Sequence, residues 1–157
     1  MHQDLAYWGL GEIDGILTAW LALSPATPQS GCMNFVKGSH ENLIVPHEDN
    51  FDELNLLSRD QEVKVDVAKE DKSSGVLSTG EISLHHGLIV HGSGANISHD
   101  RRIGVVMRFL SPHVKKTNNA LDYGVPMRGP YDTGNYTLCD APRGLFHPAD
   151  RLRYEEI

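Results

Sequence analysis

The chain has 157 residues, of which 39% are apolar and 22% charged, and its formal net charge is −7 at pH 7. A chain of this length fits one domain with a single core, and its acidic balance excludes the positively charged surface that a DNA- or RNA-binding domain needs. No apolar run approaches the ~20 residues of a membrane span, and no basic segment precedes an apolar core at the N-terminus, so we expect neither a membrane partner nor a secretory signal.

Cysteine, glycine and proline content gives two further expectations. The two cysteines, Cys32 and Cys139, are too few for a disulfide framework, which favours a cytoplasmic protein with both residues as small buried hydrophobes. The 15 glycines and 8 prolines favour many turns. Long amphipathic helices are missing, so the composition favours an all-β fold over one built from βαβ units.

The predicted elements are short strands separated by polar turns. His2, Asp4 and Ala6 are expected on one face of an N-terminal strand, because alternate residues of a strand point to the same side. Apolar runs and period-two alternation predict further strands at residues 16–23, 32–36, 61–67, 76–78, 82–86, 88–91 and 102–110. The tail, residues 113–157, is rich in glycine and proline and is predicted to be irregular, except for a short helix at 149–157. We therefore expect one domain over residues 1–157, with a sandwich or jelly-roll core at residues 1–112.

A His-x-Asp pair near the N-terminus and a later histidine are the candidates for a metal site. Two histidines and one carboxylate that leave coordination positions open form the facial triad of non-haem Fe(II) oxygenases. On a strand, His2 and Asp4 would contact one metal from the same face. His91 is the candidate third ligand, because it follows an apolar strand and precedes Gly92, where the backbone can turn close to a ligand. The His-x-Asp spacing alone has low specificity, since it occurs by chance in many chains.

An arginine makes the metal hypothesis more specific. Arg102 stands eleven residues after His91, at the start of the next predicted strand. A planar guanidinium binds a carboxylate through two parallel hydrogen bonds, which lysine cannot do. An arginine beside a metal with open positions suggests a keto-acid co-substrate that chelates the metal at one end. The alternative for Arg102 is a surface ion pair with Asp100 or Glu81.

Several short motifs accompany these residues over about two-thirds of the chain. They are His2-Gln3-Asp4 with Tyr7-Trp8, the run 18–23, Ser30-Gly31-Cys32-Met33, Gly38-Ser39-His40, and Gly80-Glu81 leading through His86 to His91-Gly92-Ser93-Gly94, Asn96, Ser98 and Arg102. In this order and spacing, the chain resembles the phytanoyl-CoA dioxygenase family of Fe(II)/2-oxoglutarate oxygenases.

The resemblance implies a fold, a reaction and a set of site residues. The implied fold is the double-stranded β-helix, a jelly roll. The implied reaction uses Fe(II), O2 and the co-substrate 2-oxoglutarate to hydroxylate a small organic molecule, with release of succinate and CO2. The implied iron ligands are His2, Asp4 and His91; Arg102 and Ser93 would bind the distal carboxylate of 2-oxoglutarate, with Trp20 beside it. Asp4 occupies the position that a small residue takes in halogenating relatives, which implies hydroxylation.

Other polar and aromatic residues have weaker assignments. Arg108 shares a strand face with Arg102 and is a candidate for binding substrate, because an inward-facing arginine is costly unless it is paired. Tyr7 and Trp8 are candidates for lining the substrate entrance, or they pack in the core. The remaining histidines of the stretch 80–102, which are His85, His86 and His99, are expected to be structural or surface residues.

The start of the sequence adds a final expectation. The resemblance implies a long segment before His-x-Asp, yet Met1 immediately precedes His2. We therefore expect an N-terminally truncated or shortened family member with weak affinity for iron and 2-oxoglutarate, and with an exposed core face that favours a homo-oligomer. The alternatives to an active hydroxylase are a catalytically inactive jelly-roll binding module and a cupin-like metalloenzyme that does not use 2-oxoglutarate. No residue selects a substrate.

Overall fold

The computed structural model describes residues 1–11, 13–45, 47–49, 61–63, 71–118, 122–129 and 133–156. In chain order, its strands are β1 (Ile16–Ala22), β2 (Met33–Val36), β3 (His47–Asp49), β4 (Gln61–Val63), β5 (Lys72–Gly75), β6 (Ile82–His86), β7 (His91–Ser93), β8 (Gly104–Leu110), β9 (Asp122–Gly124) and β10 (Tyr136–Leu138). The α-helices are α1 (Leu5–Trp8) and α2 (Pro148–Glu156), and short 3-10 turns occur at Ser39–Glu41 and Thr133–Asn135. Neither α1 nor α2, the α-helices of the described ranges, has the length and apolar character that crossing a membrane requires.

Two three-stranded antiparallel sheets carry the fold. Sheet 1 has the strand order β6-β1-β8, and sheet 2 has the order β5-β2-β7. The sheets face each other, because the ring of Phe35 on β2 lies 5.2 Å from the ring of His85 on β6. Strands β3 and β4 form an antiparallel pair, and β9 and β10 a parallel pair. This arrangement is the predicted jelly roll.

The register of sheet 1 determines which side chains face inward. Thr18 lies opposite both His85 and Arg108, and Trp20 lies opposite both Ser83 and Val106. Directly opposed residues in an antiparallel sheet point to the same face. These rows therefore form the inner face of sheet 1, towards sheet 2.

Two small apolar clusters account for most of the buried core among the described residues. One contains Leu5, Ile16, Leu88 and Val114, with Trp8 and Leu10 packed against it. The other contains Trp20, Ala22, Ala26 and Cys32, with Met33 and Leu77 packed against it. Cys32 is buried, as predicted, and Cys139 is half-buried. The first cluster joins the N-terminal segment to sheet 1, so the His-x-Asp pair is part of the packed structure.

The predicted N-terminal strand is wrong. His2 forms a single antiparallel bridge with His91, but Asp4 has helical backbone angles of φ −57° and ψ −41°. The turn forms because the amides of Ala6 and Tyr7 donate to the carbonyls of Gln3 and Asp4 at 3.2 and 3.0 Å. This turn carries Leu5, 3% exposed, into the core, a burial that a continued strand would not provide.

Other predicted boundaries need smaller corrections. The predicted strand at 88–91 lies instead at β7, because residues 87–90 form a turn in which the amide of Ile89 donates to the carbonyl of His86. The predicted strand at 76–78 is a single bridge between Leu77 and Ala26, and β5 precedes it. Strand β8 begins at Gly104, two residues after the predicted start. Of the predicted strand at 61–67, residues 61–63 form β4 and the others lie outside the described residues. In the tail, helix α2 agrees with the predicted C-terminal helix.

The outer face of sheet 1 is apolar and exposed. It carries five large apolar side chains that are between 37% and 61% exposed, namely Leu17, Ile82, Leu84, Val105 and Phe109. The register places all five on the side opposite Thr18 and Trp20. An exposed apolar patch of this kind commonly marks an interaction surface.

Candidate metal centre

The structure brings His2, Asp4 and His91 together between the two sheets. The Oδ1 atom of Asp4 lies 3.5 Å from Nε2 of His2 and 3.7 Å from Nε2 of His91. One candidate ligand atom from each residue falls within 4.8 Å of the other two. A metal ion about 2 Å from each ligand holds neighbouring ligand atoms ~3 Å apart, so one ion fits here after small inward movements. Two imidazoles and a carboxylate are the donor set of a facial triad.

Backbone hydrogen bonds hold the two histidines relative to each other. The amide of His2 donates to the carbonyl of His91 at 2.8 Å, and the amide of His91 donates to the carbonyl of His2 at 2.9 Å. The Nδ1 atom of His91 lies 3.0 Å from the carbonyl oxygen of Ile89. A proton on Nδ1 satisfies that contact and leaves the lone pair of Nε2 directed at the centre, as a metal-binding histidine requires.

Gln3 stands between His2 and Asp4 in the sequence, and its side chain anchors the N-terminal segment to the rest of the fold. Its side chain is fully buried. Its Nε2 donates to the carbonyl of Leu88 at 2.8 Å, and its Oε1 accepts from the amide of Val45 at 2.9 Å. The N-terminal segment is therefore bonded to the turn before His91 and to the loop after residue 41.

The two oxygens of Asp4 have different surroundings. Oδ1 faces His2 and His91, whereas Oδ2 accepts a hydrogen bond from Oγ1 of Thr18 at 2.9 Å. Burial raises the pKa of the Asp4 carboxyl, but the contacts with His2, His91 and Thr18 together outweigh it and lower that pKa below its ordinary value. The carboxylate is therefore ionised near neutral pH and available as an anionic ligand.

His91 is neutral over the same pH range. Burial is the main cause that lowers its pKa to about 4, with the nearby His2 adding to the effect and Asp4 opposing it. Burial likewise lowers the pKa of His85, again against the attraction of Asp4. Neutral imidazole is the form that binds a metal ion, so the site needs no prior loss of a proton from His91.

Arg102, Ser93 and Trp20 form a second group on the inner faces. A terminal nitrogen of Arg102, Nη1, donates to Oγ of Ser93 at 2.9 Å, and the guanidinium carbon lies 5.6 Å from the ring centroid of Trp20. Ser93 follows His91 by two residues on β7, so both face inward. The alternative of a surface ion pair is not observed. The Glu81 carboxylate accepts from the amide of Ser78 and that of Asp100 from the amide of Arg101, and neither pairs with Arg102.

A glycine determines the position of the Trp20 ring. A Cβ atom added to Gly104 would lie 2.2 Å from Cζ2 of Trp20, far inside van der Waals contact. Gly104 lies on β8 opposite Ala22, two residues along from the position opposite Trp20. The indole therefore packs on the backbone at a position where only glycine leaves room.

The residues predicted to contact substrate, which are Arg108, Trp8 and Tyr7, lie towards Thr18 and away from Trp20. The guanidinium carbon of Arg108 lies 4.4 Å from the ring centroid of Trp8, close enough for a cation–π interaction. Arg108 is exposed and lies opposite Thr18, whose hydroxyl contacts Asp4. The ring of Tyr7 contacts that of His2 edge-on, with centroids 5.7 Å apart. All three candidates thus lie near the centre.

Thr18 and His85 are the residues that the sequence analysis missed. The structure places His85 beside Asp4, with only 6% of its side chain exposed and its Nε2 3.8 Å from Oδ2 of Asp4. Its strand neighbour His86 is structural, as predicted, since its Nδ1 accepts from the amide of Leu88 at 3.1 Å. His99 is exposed, also as predicted. His85 stands six residues before His91, but the turn between their strands prevents this even spacing from showing which way His85 points.

Comparison with known proteins identifies the family. The model of the phytanoyl-CoA dioxygenase (PhyH) family matches residues 1–104, which is more than half of the chain. The chain belongs to the phytanoyl-CoA dioxygenase family. It is 26% identical over 111 residues to the human protein named peroxisomal phytanoyl-CoA dioxygenase, a match that covers 71% of this chain and 33% of that protein. The chain spans about a third of the length of the curated family members it matches.

Solved structures show the same fold. The apo structure of ThoJ, described as a non-haem monooxygenase, superposes with a TM-score of 0.83 at 29% identity, covering 99% of this chain and 55% of ThoJ. EvdO2 from Micromonospora carbonacea var. aurantiaca, solved in complex with 2-oxoglutarate, has a TM-score of 0.59 at 26% identity, covering 74% of this chain and 46% of EvdO2. These similarities support the jelly-roll fold of the chain.

Proposed function

We propose that this chain is the metal-binding part of an Fe(II)/2-oxoglutarate-dependent hydroxylase of a small organic molecule, which releases succinate and CO2. The observation that carries the proposal is the presence of two groups on the inner faces of the sheets, linked through β7, which carries His91 of one group and Ser93 of the other. One is the His2, Asp4 and His91 donor set, and the other is the Arg102–Ser93 pair. Family membership supports the same reaction class, and EvdO2 is a member of this structural group that binds 2-oxoglutarate.

Each proposed residue has a role that follows from its surroundings. Iron bound by His2, Asp4 and His91 supplies the redox chemistry that couples O2 and 2-oxoglutarate to hydroxylation. Asp4 provides the anionic ligand, and neutral His91 presents Nε2 without first losing a proton. Three donors leave room on the metal for the co-substrate and O2.

The co-substrate has its own set of contacts. The Arg102 guanidinium and the Ser93 hydroxyl are already hydrogen-bonded, and together they present donors to the distal carboxylate of 2-oxoglutarate. The ring of Trp20 covers one side of that guanidinium. The electron-rich face of the indole is attracted to the cationic guanidinium and favours one orientation of it.

We assign the substrate entrance to Arg108, Trp8 and Tyr7. On the inner face of sheet 1, the Arg108–Trp8 stack lies beside Thr18, whereas Arg102 lies beside Trp20. Residues 102 and 108 are about 20 Å apart on an extended chain, so one arginine contacts the co-substrate and the other remains available to a substrate.

Uncoupled turnover of 2-oxoglutarate tests the proposed function without a known substrate. The purified chain with Fe(II), O2 and 2-oxoglutarate should produce succinate, and both Asp4→Ala and His91→Ala should abolish it. His99→Ala is the matched histidine control and should be unaffected. A wild-type chain that binds metal but releases no succinate supports the inactive binding module instead. Succinate release that persists in Arg102→Ala contradicts the assignment of the co-substrate carboxylate to that residue.

We also propose that the outer face of sheet 1 binds a second copy of the chain. Five large exposed apolar side chains on one sheet face favour burial against a like surface. Leu84 is the most exposed of the five, at 61%. Leu84→Glu should shift the mass measured by multi-angle light scattering from dimer to monomer. Leu145→Glu, at a tail residue that is 91% exposed, should leave it unchanged. A monomeric wild-type chain would exclude this interface.

A further inference from the structure

The strongest unassigned feature near the centre is the buried imidazole of His85. Its side chain is 6% exposed, and its ring packs between those of Phe35 and His91, with centroids 5.2 and 4.9 Å away. Nε2 faces Oδ2 of Asp4 at 3.8 Å, and Nδ1 has no hydrogen-bond partner in the described part of the chain. A buried polar nitrogen without a partner is uncommon and calls for an explanation.

The strand register places His85 beside a second residue that contacts Asp4. His85 and Thr18 lie directly opposite each other on β6 and β1. Thr18 Oγ1 donates to Oδ2 of Asp4 at 2.9 Å, and the Nε2 of His85 approaches the same oxygen. Oδ1 of Asp4 faces His2 and His91 instead. The carboxylate thus has one oxygen towards the candidate ligands and one towards the Thr18–His85 pair.

The position of the His85 proton follows from hydrogen-bond energetics. A neutral imidazole carries one N–H, on either nitrogen. An N–H on Nδ1 would be a buried donor without a hydrogen-bond partner in the described part of the chain, which is energetically unfavourable. An N–H on Nε2 has the Asp4 carboxylate in front of it and needs to move ~1 Å closer to form a charged hydrogen bond.

We infer that His85 is a positioning residue for Asp4, which acts with Thr18 to hold Oδ2 so that only Oδ1 binds the metal. Binding through both oxygens would turn Oδ2 away from two donors. Ligation through Oδ1 alone would leave more coordination positions of the metal open to a chelating co-substrate than ligation through both oxygens. This inference rests on the proposed metal centre. Hydrogen-bonded partners of metal ligands typically contribute 10–100-fold to metal affinity.

Cobalt(II) is a suitable probe, because its visible absorption reports the number and geometry of its ligands. His85→Phe keeps a ring between Phe35 and His91 but removes both nitrogens, and it should weaken Co(II) binding by about 10-fold or more and change the absorption spectrum. His85→Gln restores an N–H donor and should recover most of the affinity and the wild-type spectrum. His99→Phe is the control at an exposed histidine and should match the wild type.

Two results would overturn the inference. One is a folded His85→Phe variant with wild-type Co(II) affinity and spectrum, and the other is a His85→Gln variant as impaired as His85→Phe. If His85→Phe does not fold, long-range proton–nitrogen NMR of the wild-type chain still decides, since we expect the Nε2–H tautomer and a proton on Nδ1 refutes it. Absence of Co(II) binding by the wild type would instead refute the metal centre, and the NMR tautomer would remain a separate test of the His85–Asp4 contact.

Discussion

His2 and His91 form a reciprocal pair of backbone hydrogen bonds, with N···O distances of 2.8 and 2.9 Å. Two candidate ligands from distant parts of the sequence are thereby held at a fixed separation before any ion binds. A ligand beside a chain terminus is expected to fray unless it is bonded to the rest of the fold. The bridge to His91 fixes His2 in the fold, and this argues against weak metal affinity caused by a frayed N-terminus. The affinity itself stays a prediction.

Gln3 is expected to support this bridge. Gln3→Ala leaves the carbonyl of Leu88 and the amide of Val45 without their side-chain partner in a fully buried position. We expect the free energy of unfolding to fall by about 2–4 kcal/mol and metal affinity to fall with it. Denaturant unfolding and Co(II) titration measure the two effects. Gln29→Ala, at an exposed glutamine, is the control, and equal stability of both variants would contradict the role of Gln3.

Replacement of Arg102 tests the co-substrate contact. Arg102→Lys keeps the charge but loses the two parallel hydrogen bonds that a guanidinium makes with a carboxylate. We expect the KM for 2-oxoglutarate to rise about 10- to 100-fold, with a smaller change in the maximal rate of succinate release. Arg101→Lys, one residue earlier and exposed, should have little effect. An unchanged KM for 2-oxoglutarate in Arg102→Lys would show that Arg102 does not bind the co-substrate.

The stability of the metal-free chain should fall as the pH is lowered. His91 has a pKa of about 4 when folded, against an ordinary 6.5, chiefly because of burial. Between these pH values, the unfolded chain binds more protons than the folded chain. The contribution of His91 to the free energy of unfolding is therefore complete above pH 6.5 and is lost as the pH falls towards 4. The lowered pKa values of His85 and Asp4 act in the same direction.

The expected loss from His91 is ~3 kcal/mol across that interval. Chemical denaturation at a series of pH values measures it. His91→Phe should flatten the dependence, whereas His99→Phe should not. Stability that is constant from pH 7 to 4 in the wild type would contradict a buried neutral His91.

Gly104 is expected to be intolerant of a side chain. The Cβ of alanine would overlap the Trp20 ring, so Gly104→Ala should displace the indole and lower the free energy of unfolding by about 1–3 kcal/mol. The KM for 2-oxoglutarate should rise as well, because Trp20 covers the Arg102 guanidinium. Unfolding curves, tryptophan fluorescence and succinate assays measure these effects. Gly144→Ala, where an added Cβ meets no atom within 4 Å, is the control. If the two variants behave alike, the proposed contact is wrong.

The sequence predicted the parts of the site that depend on local spacing. His91 was proposed as a ligand from the apolar run before it and the glycine after it, whereas the pairing of Ser93 with Arg102 came from the family resemblance, and the structure has His91 and Ser93 on the same strand, β7. Short strands and frequent turns predicted a sandwich or a jelly roll, and the family resemblance implied the jelly roll. Trp20, which the resemblance implied beside the co-substrate, has its ring centroid 5.6 Å from the guanidinium carbon of Arg102.

What the sequence did not predict depends on contacts between strands. Thr18 lies within an apolar run, and only the register that places it beside Asp4 reveals its role. His85 and His86 are adjacent, and the turn at 87–90 made their directions ambiguous until the sheet pairing was known. The strand argument predicted that the side chains of His2 and Asp4 lie close together, and they do. The backbone that brings them together is a bridge at His2 followed by a helical turn at Asp4, not the predicted strand.

The most direct test of the metal centre is an anaerobic titration of the chain with Fe(II) in the presence of 2-oxoglutarate. The charge-transfer absorption of the iron–2-oxoglutarate chelate reports binding of both groups at one site. We predict that the wild-type band saturates at one iron per chain and is lost in Asp4→Ala and His91→Ala. A wild-type chain without the band, or variants that retain it at full intensity, would contradict the assignment of His2, Asp4 and His91 as the iron ligands.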